Sequence, residues 1–484
     1  MWALFILGWI LPQFLAISKP SWESLGDAHF YASSAQHWAD HGENRWHEIY
    51  PIALNERAGS EMAFPSPAFP LVASWGIRLG LSAPEATLYA SGLALAGTLS
   101  LFYLWALSRG LSIPTAWAIG LMPLLGGESL SLALRGGSDS LGQFGLVLST
   151  LLLFYHQQSQ LNRRRLILLF TSALLALIRP HNQIFLLLLG PTLLIIEWRG
   201  ARWLSLAHWL LAIVFWKLIQ TSLLNGGDIT FPYSFSFLVS TQTYPDHSLF
   251  RHYFPEGFSL SFIFEHGEDL KLKALKGLGL LKMYWTGWIP QSLILGFSFF
   301  LSKKKAPVLL LLVLLASAIF LSCSGHLIPR YWTILFPLSL LAALVSIPTS
   351  NQLLWGIGTW ALLGALVTFT GGRGQELLFS PLPQRELHAT PFPEQWVKPL
   401  KDASTVACDH PAKAIDALSR PLLLMPQNPT ILNRIESDHG SVEHLLFSPN
   451  FKAGELSHWE EHFSLLEETG YRRHEVDNWT LFSK

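Results

Sequence analysis

Asp27 is the first residue whose surroundings suit chemistry. It stands in Gly26-Asp27-Ala28-His29-Phe30-Tyr31, just after an apolar run, so a carboxylate, an imidazole and a phenol fall within one short stretch. A carboxylate so placed can take a proton from a hydroxyl or an amine, or hold a divalent metal. It can equally cap a helix over 28–40, because Asp is a preferred N-cap. Further along, Glu128, Arg135 and Asp139 flank another apolar run, and Ser138-Asp139 carries the same capping alternative. Arg179-Pro180-His181-Asn182, and His326 with Arg330-Tyr331, put two arginines at the ends of further runs. Such an arginine either snorkels to headgroups or grips a phosphate in fork geometry. Glu56, Glu61, Asp228, Asp246, His247, Arg251 and His252 read as solvated loop residues. The histidines lack H-x-x-H or H-E-x-x-H spacing, which argues against a structural zinc. There is no P-loop, no G-x-G-x-x-G after a strand and no G-x-S-x-G elbow, so nothing signals ATP or nicotinamide chemistry.

Composition sets the elements that must carry these residues. Of 484 residues, 50% are hydrophobic and 14% charged, whereas soluble domains carry about 25% charged residues. Lys and Arg number 33, Asp and Glu 33, and the formal net charge is +0. Without a basic excess nothing drives counterion release, which excludes a polybasic nucleic-acid binder. Two cysteines exclude a disulfide scaffold or a Cys-rich metal protein, and 20 Trp with 31 Phe suit a wide lipid interface. The chain reads as an α-helical polytopic membrane protein.

A membrane span needs about 20 mostly apolar residues, and the runs 1–17, 86–108, 113–126, 138–156, 166–178, 183–196, 203–224, 284–301, 307–322, 329–347 and 353–370 give about eleven. The short pair around Arg179-Pro180 reads as two spans or as one shallow hairpin. The first run lacks a basic start and an A-x-A cleavage site, so it reads as a retained helix. Arg109, Arg163-Arg164-Arg165, the stretch 199–202 and Lys303-Lys304-Lys305 all fall on one side under this reading. Short basic loops mark the cytoplasmic side, and the N-terminus is then cytoplasmic too. The loops 18–67 and 225–283 and the tail from 371 lie outside, with every candidate named above. Lys271, Lys273, Lys276 and Lys282 run against the rule, but in a long loop, where 271–281 reads as an amphipathic helix lying in the interface. Cys323 and Cys408 also fall outside, where a bridge between them is chemically allowed.

The tail over 371–484 differs in kind. It is polar, and strand-like segments at 405–407, 421–425, 442–447 and 478–482 alternate with helical ones at 411–418, 430–435 and 459–469. That pattern predicts a small α/β domain of about three βα units, joined by a Pro-rich linker over 380–399. There is no internal repeat.

Four patterns recur together along the chain: Asp27-Ala28-His29-Phe30-Tyr31; Phe64-Pro65-Ser66-Pro67-Ala68-Phe69-Pro70-Leu71; Ile178-Arg179-Pro180; and Arg330-Tyr331 leading into Leu335-Phe336-Pro337-Leu338. In this order they resemble the GT-C superfamily of polytopic glycosyltransferases, in particular the protein O-mannosyltransferases and the aminoarabinose transferases of lipid A. The tail, with Cys408-Asp409-His410-Pro411 and Arg420-Pro421-Leu422, looks like the small soluble domain that many bacterial members carry. The resemblance implies a transmembrane GT-C-like domain over 1–370 and an extracytoplasmic α/β domain over 371–484, set in a cell membrane read as a bacterial inner membrane. It implies transfer of a sugar from a polyprenyl phosphate, rather than from a nucleotide, to a protein, lipid or glycan acceptor, with inversion and without a nucleic-acid partner. Asp27 matches the family's catalytic acid, Arg330 the late arginine that meets the lipid phosphate, and Arg179 is a weaker match near the same pocket. His29, Tyr31, Glu128, Asp139, His326 and Tyr331 are the candidates for supporting or metal-binding positions. One departure matters: the family often has an acidic pair in the first loop, and here Ala28 follows Asp27. A second carboxylate must come from Glu56, Glu61, Glu128 or Asp139, which leaves a divalent-cation cofactor open.

Three other readings compete. A transporter or flippase of a lipid-linked substrate predicts two similar halves and helices broken near mid-membrane, against the one-sided placement of the charges. A surface-glycan polymerase or ligase would use the same pocket with a longer donor. A scaffold with the tail as binding module accounts for the tail but not for the acids and arginines.

Overall fold

The structure, a computed structural model, describes residues 1–18, 27–42, 48–49, 67–125, 128–159, 162–197, 201–223, 267–268, 271–272, 275, 337–338, 340–341, 344, 355–356, 358–359, 392–409, 414, 417–418, 422–425, 432, 436, 441–449 and 457–484. The chain divides into two compact units. One comprises Met1–Ala39, Pro65–Gly226 and Ala274–Leu382, the other Asp40–Phe64, Gly227–Lys273 and Pro383–Lys484.

The first unit is helical: α1 (Trp2–Ser18), α2 (Asp27–His41), α3 (Ala68–Arg78), α4 (Ala83–Ser108), α5 (Ile113–Leu125), α6 (Glu128–Leu134), α7 (Ser138–Ser159), α8 (Asn162–Leu175), α9 (Pro180–Ile196) and α10 (Arg202–Leu223). Each apolar run read between 1 and 224 falls on a helix, with ends shifted by a few residues. Among the described residues, α4 and α10 are long and apolar enough to cross a membrane, and α1, α5 and α9 contain shorter apolar helices. The runs 284–301 and 307–322 lie outside the described residues, as do most of 329–347, 353–370 and 271–281.

Helix α4 is the hub of this unit. It starts where Ser82 and Glu85 form a capping box, the Glu85 carboxylate accepting from the Ser82 amide at 2.9 Å and its hydroxyl at 2.7 Å. That arrangement satisfies N–H groups that helix starts leave unpaired. Its buried face is rich in Ala, Ser and Thr, and small residues let helix backbones approach closely where hydrocarbon offers no hydrophobic gain. A Cβ on Gly8 of α1 would stand 2.7 Å from the Ala96 backbone, and one on Gly97 would stand 2.7 Å from the Phe144 ring of α7. Glycine is what permits both approaches.

The second unit is a small α/β domain. Its strands are β1 (Glu48–Ile49), β2 (Val406–Cys408), β3 (Leu422–Leu424), β4 (His444–Phe447), β5 (Arg472–Val476) and β6 (Trp479–Ser483), with helices α11 (Glu394–Asp402) and α12 (Phe463–Glu468). Among the described residues the sheet order is β1-β3-β2-β4-β6-β5, parallel from β1 to β4 and antiparallel beyond. Alternate residues serve opposite cores, as a two-residue period requires. Ala407, Leu445, Phe447 and Phe482 join Trp459 and Phe463 on one face; Val406, Cys408, Leu446 and Leu481 join Trp396 and Trp479 on the other. A two-residue turn at Asp477 (φ 50°) and Asn478 (φ 65°) links β5 to β6, the conformation that tight hairpins need.

Four strands match segments read from the sequence, and two were not expected. β1 comes from the first loop, and β5 is polar or charged up to its last residue, Val476. The Pro-rich stretch read as linker over 380–399 is helical from Glu394, where Trp396 and Leu400 supply the apolar anchors that hold α11 against the domain. Cys408 is buried, and Cys323 lies outside the described residues.

Candidate active site

The turn between α8 and α9 fixes the arginine. Pro180 opens α9, where a missing N–H does no harm, and a residue before proline is driven to extended backbone. Arg179 accordingly has φ −156° and ψ 152° as the N-cap of α9. From there its Nη2 donates to Asp139 Oδ1 in the first turn of α7, and both side chains are buried. The two helices run in the same direction and meet at their N-terminal ends. Asn182, one turn into α9, donates its Nδ2 to the Gly142 carbonyl at 3.1 Å, which reinforces that contact.

The neighbouring residue on α7 reaches another element. Ser138 Oγ lies 2.6 Å from the Tyr31 hydroxyl of α2, and the Tyr31 ring meets Phe69 of α3 edge-on, with centroids 5.1 Å apart. Ser91 of α4 donates to the Gly137 carbonyl at 3.0 Å, tying the start of α7 to the hub. The Ala68 amide, at the start of α3, donates to the Leu177 carbonyl at 3.4 Å, two residues before Arg179. Residues far apart in sequence thus gather at one end of the helical unit: Tyr31, Phe69, Ser91, Ser138, Asp139, Arg179 and Asn182. Buried Ser140 Oγ and Asn182 Oδ1 have no hydrogen-bond partner among the described residues, which leaves polar capacity there.

Of the residues singled out from the sequence, Tyr31, Asp139 and Arg179 are brought together. Asp27 opens α2 one helical turn before Tyr31, with His29 between them on the same helix. Glu128 opens α6. His326, Arg330 and Tyr331 lie outside the described residues. Asp139 could have been a helix cap; its carboxylate instead engages Arg179. Among the described residues no three His, Cys, Asp or Glu side chains converge as a metal site. Ser138 and Asn182 stand out in the sequence only as neighbours of Asp139 and Arg179, because hydroxyls and amides at helix starts read first as local caps.

The far ends of the same helices hold a second polar cluster. His156 Nε2 of α7 lies 2.8 Å from Glu197 Oε1, just past α9. Arg165 of α8 donates to Glu197 Oε2 at 2.7 Å, Ser205 Oγ at 2.5 Å, Asn162 Oδ1 at 2.6 Å and His208 Nδ1 at 3.2 Å. Ser205 of α10 also donates to Glu197. At 1.5 Å per residue, His156 stands roughly 25 Å along α7 from Asp139. The Arg163-Arg164-Arg165 triplet and the Asp139–Arg179 pair therefore sit at opposite ends of the helices.

No family model matches the sequence, and no curated protein does. The described residues form a helical unit and a small unit built on a mixed sheet. The solved structure of ArnT from Cupriavidus metallidurans bound to undecaprenyl phosphate is similar to this chain, with a TM-score of 0.54 and 12% identity over 99% of this chain and 98% of that one. At that identity the likeness is one of fold.

Proposed function

We propose that this chain is an integral-membrane glycosyltransferase that moves a sugar from a polyprenyl phosphate to a hydroxyl or amine of a protein, lipid or glycan acceptor. The observation that carries the reading is the buried Asp139–Arg179 pair beside Tyr31–Ser138, one turn along α2 from Asp27. The likeness of the whole chain to a fold solved with undecaprenyl phosphate supports it. In this reading the site faces the extracytoplasmic side, the domain over 371–484 lies on that side, and the arginine triplet at 163–165 faces the cytoplasm, as short basic loops do.

The chemistry follows from the placement. The donor's lipid tail partitions into hydrocarbon, so its phosphate and anomeric carbon come to headgroup level. Asp27 takes the proton from the acceptor. The acceptor oxygen or nitrogen bonds to the anomeric carbon from the face opposite the phosphate, the carbon–oxygen bond to phosphate breaks, and the configuration inverts. Charge grows on the departing polyprenyl phosphate, so guanidinium groups there hold the transition state more tightly than the ground state. Arg179 and Arg330 have that role. Asp139 acts through Arg179, orienting its fork, and is a positioning residue. His29, Tyr31, Glu128, His326 and Tyr331 would support the site. A divalent cation, if the enzyme uses one, would add positive charge beside the same phosphate.

The test is transfer from a labelled polyprenyl-phosphate sugar by the purified full chain in detergent. Asp27→Asn is expected to abolish it while the protein stays monodisperse and inserted. Near-normal turnover by that variant would refute the assignment of the base.

A further inference from the structure

Helix α10 carries a cation that the proposed reaction does not use. Lys217 lies inside a helix long and apolar enough to cross a membrane. At 1.5 Å per residue it stands about 22 Å along the axis from Arg202 and about 9 Å from Leu223. An ammonium within such a segment is costly, and lysines found there usually pair with an acid or face a polar cavity. Lys217 meets no carboxylate among the described residues. Its Nζ donates to Gln220 Oε1 at 3.2 Å and lies 4.4 Å from the centre of the Trp216 ring. Both partners are neutral, and both are buried. Trp216 Nε1, a further donor, is buried with no hydrogen-bond partner among the described residues. Lys217 itself is only half-buried, so its charge stays open to the outside of the helices.

The position along the helix and the face it occupies narrow the partner. α10 starts beside the Glu197 cluster, where Ser205 meets Arg165. Lys217 is about 18 Å further along, toward the Arg179 end, and its acceptor Gln220 lies nearer that end still. Trp203, Leu210, Val214 and Thr221 recur at helical spacing on the same face as Lys217, and all four are exposed. The face is thus an apolar strip with an indole at one end, as at a membrane interface, and an ammonium toward the other. The strip suits hydrocarbon chains, and the ammonium suits an anion.

We propose that Lys217 holds the phosphate of an anionic membrane phospholipid whose acyl chains lie along Leu210 and Val214 of α10. A free anion would gain the ammonium but not the strip. A zwitterionic lipid brings its own cation beside the phosphate, which competes with Lys217. An anionic headgroup above two acyl chains satisfies both parts of the face. The site is separate from the proposed reaction, and its test needs no transfer.

That test is native mass spectrometry of the purified full chain in detergent, titrated with phosphatidylglycerol or with phosphatidylcholine of the same acyl chains. The wild type is expected to retain the first phosphatidylglycerol about tenfold more tightly than phosphatidylcholine, the scale of one charge-assisted hydrogen bond. Lys217→Arg should keep this preference. Lys217→Gln should lose it while binding phosphatidylcholine as before. Lys271→Gln, which removes an exposed lysine elsewhere, should leave it intact, and so should Arg179→Lys. Inorganic phosphate should displace the lipid no better than chloride at equal ionic strength. Photolabelling of the wild type gives an independent reading: phosphatidylglycerol with a diazirine in its acyl chain should modify residues within 207–221. Equal retention of the two lipids, an unchanged preference in Lys217→Gln, or labelling elsewhere only would overturn the site. Loss of the preference in Lys271→Gln would reduce it to diffuse charge attraction, and loss in Arg179→Lys would move the phosphate to the transfer site. Selective displacement by inorganic phosphate would make it a free-anion site, and each of these three results also overturns the proposal.

Discussion

The two ends of α7 and α9 are bridged by the same kinds of group and differ in what those groups join. At one end Arg165 spends its donors on Glu197, Ser205, Asn162 and His208, and Glu197 also meets His156. Four helices are stapled there. At the other end Arg179 pairs with Asp139 beside the Tyr31–Ser138 bond, and buried Ser140 Oγ and Asn182 Oδ1 have no hydrogen-bond partner among the described residues. Buried ion pairs add little net stability, because desolvation offsets their attraction, but an orphaned partner is costly. The Glu197 cluster, which ties four helices together, therefore reads as a staple that fixes their axial register. The Asp139–Arg179 end, which joins the starts of α7 and α9, reads as a site.

Variants at each end separate the two roles, and the largest effect belongs to the Arg179 end. Arg179→Lys keeps a charge beside Asp139 but loses the fork, and should lower transfer by about 10²–10³-fold with little change in thermal stability. Glu197→Ala should do the opposite. It leaves Arg165 buried without its carboxylate and is expected to cost about 3–5 kcal/mol in stability, read from thermal unfolding in detergent, while the folded fraction keeps near-normal turnover. The reverse pattern, full stability with lost turnover at Glu197, would break the comparison.

Asp409, just past β2, sharpens it as a carboxylate whose partners among the described residues, the Ser448 hydroxyl and amide first, are neutral. Its folded pKa of about 6 lies above the ordinary 3.8, so the fold holds its proton more tightly than the unfolded chain does. Its stabilising contribution is fully present below about pH 3.8 and is lost as pH rises through about 6, an effect of about 3 kcal/mol. Denaturant titrations of wild type and Asp409→Asn at about pH 4 and about pH 7.5 should show the wild type losing ground relative to the variant as pH rises. Equal slopes would mean that the carboxyl titrates normally. Smallest of all, Tyr31→Phe removes the bond to Ser138 and should cost about 1 kcal/mol, again by thermal unfolding.

How far the sequence foretold this depends on how local each signal is. The turn Arg179-Pro180 was legible because proline acts on its own neighbour, and the runs on α1, α4, α5 and α7 to α10 because apolar length needs no partner. Arg165 was hidden by company: in Arg163-Arg164-Arg165 it looks like one more basic loop residue. Yet Leu168, Leu169 and Ser172, three, four and seven places on, are all buried with it, and that spacing puts it on the inward face of α8. The Asp139–Arg179 contact joins residues that only helix packing brings together, so each was a candidate and the pair was not. β5, Arg472-Arg473-His474-Glu475-Val476, shows no apolar alternation because it is an exposed edge strand, where charge discourages stray pairing.

The shortest strand has a consequence for how the molecule is made. β1 is two residues long, and its partner β3 is translated only after the whole helical unit has emerged. Until the ribosome reaches Leu422 and Leu423, Glu48 and Ile49 must wait for this partner. A fragment that starts at 371 would fold with one border of β3 bare, and an unpaired border invites association with other chains.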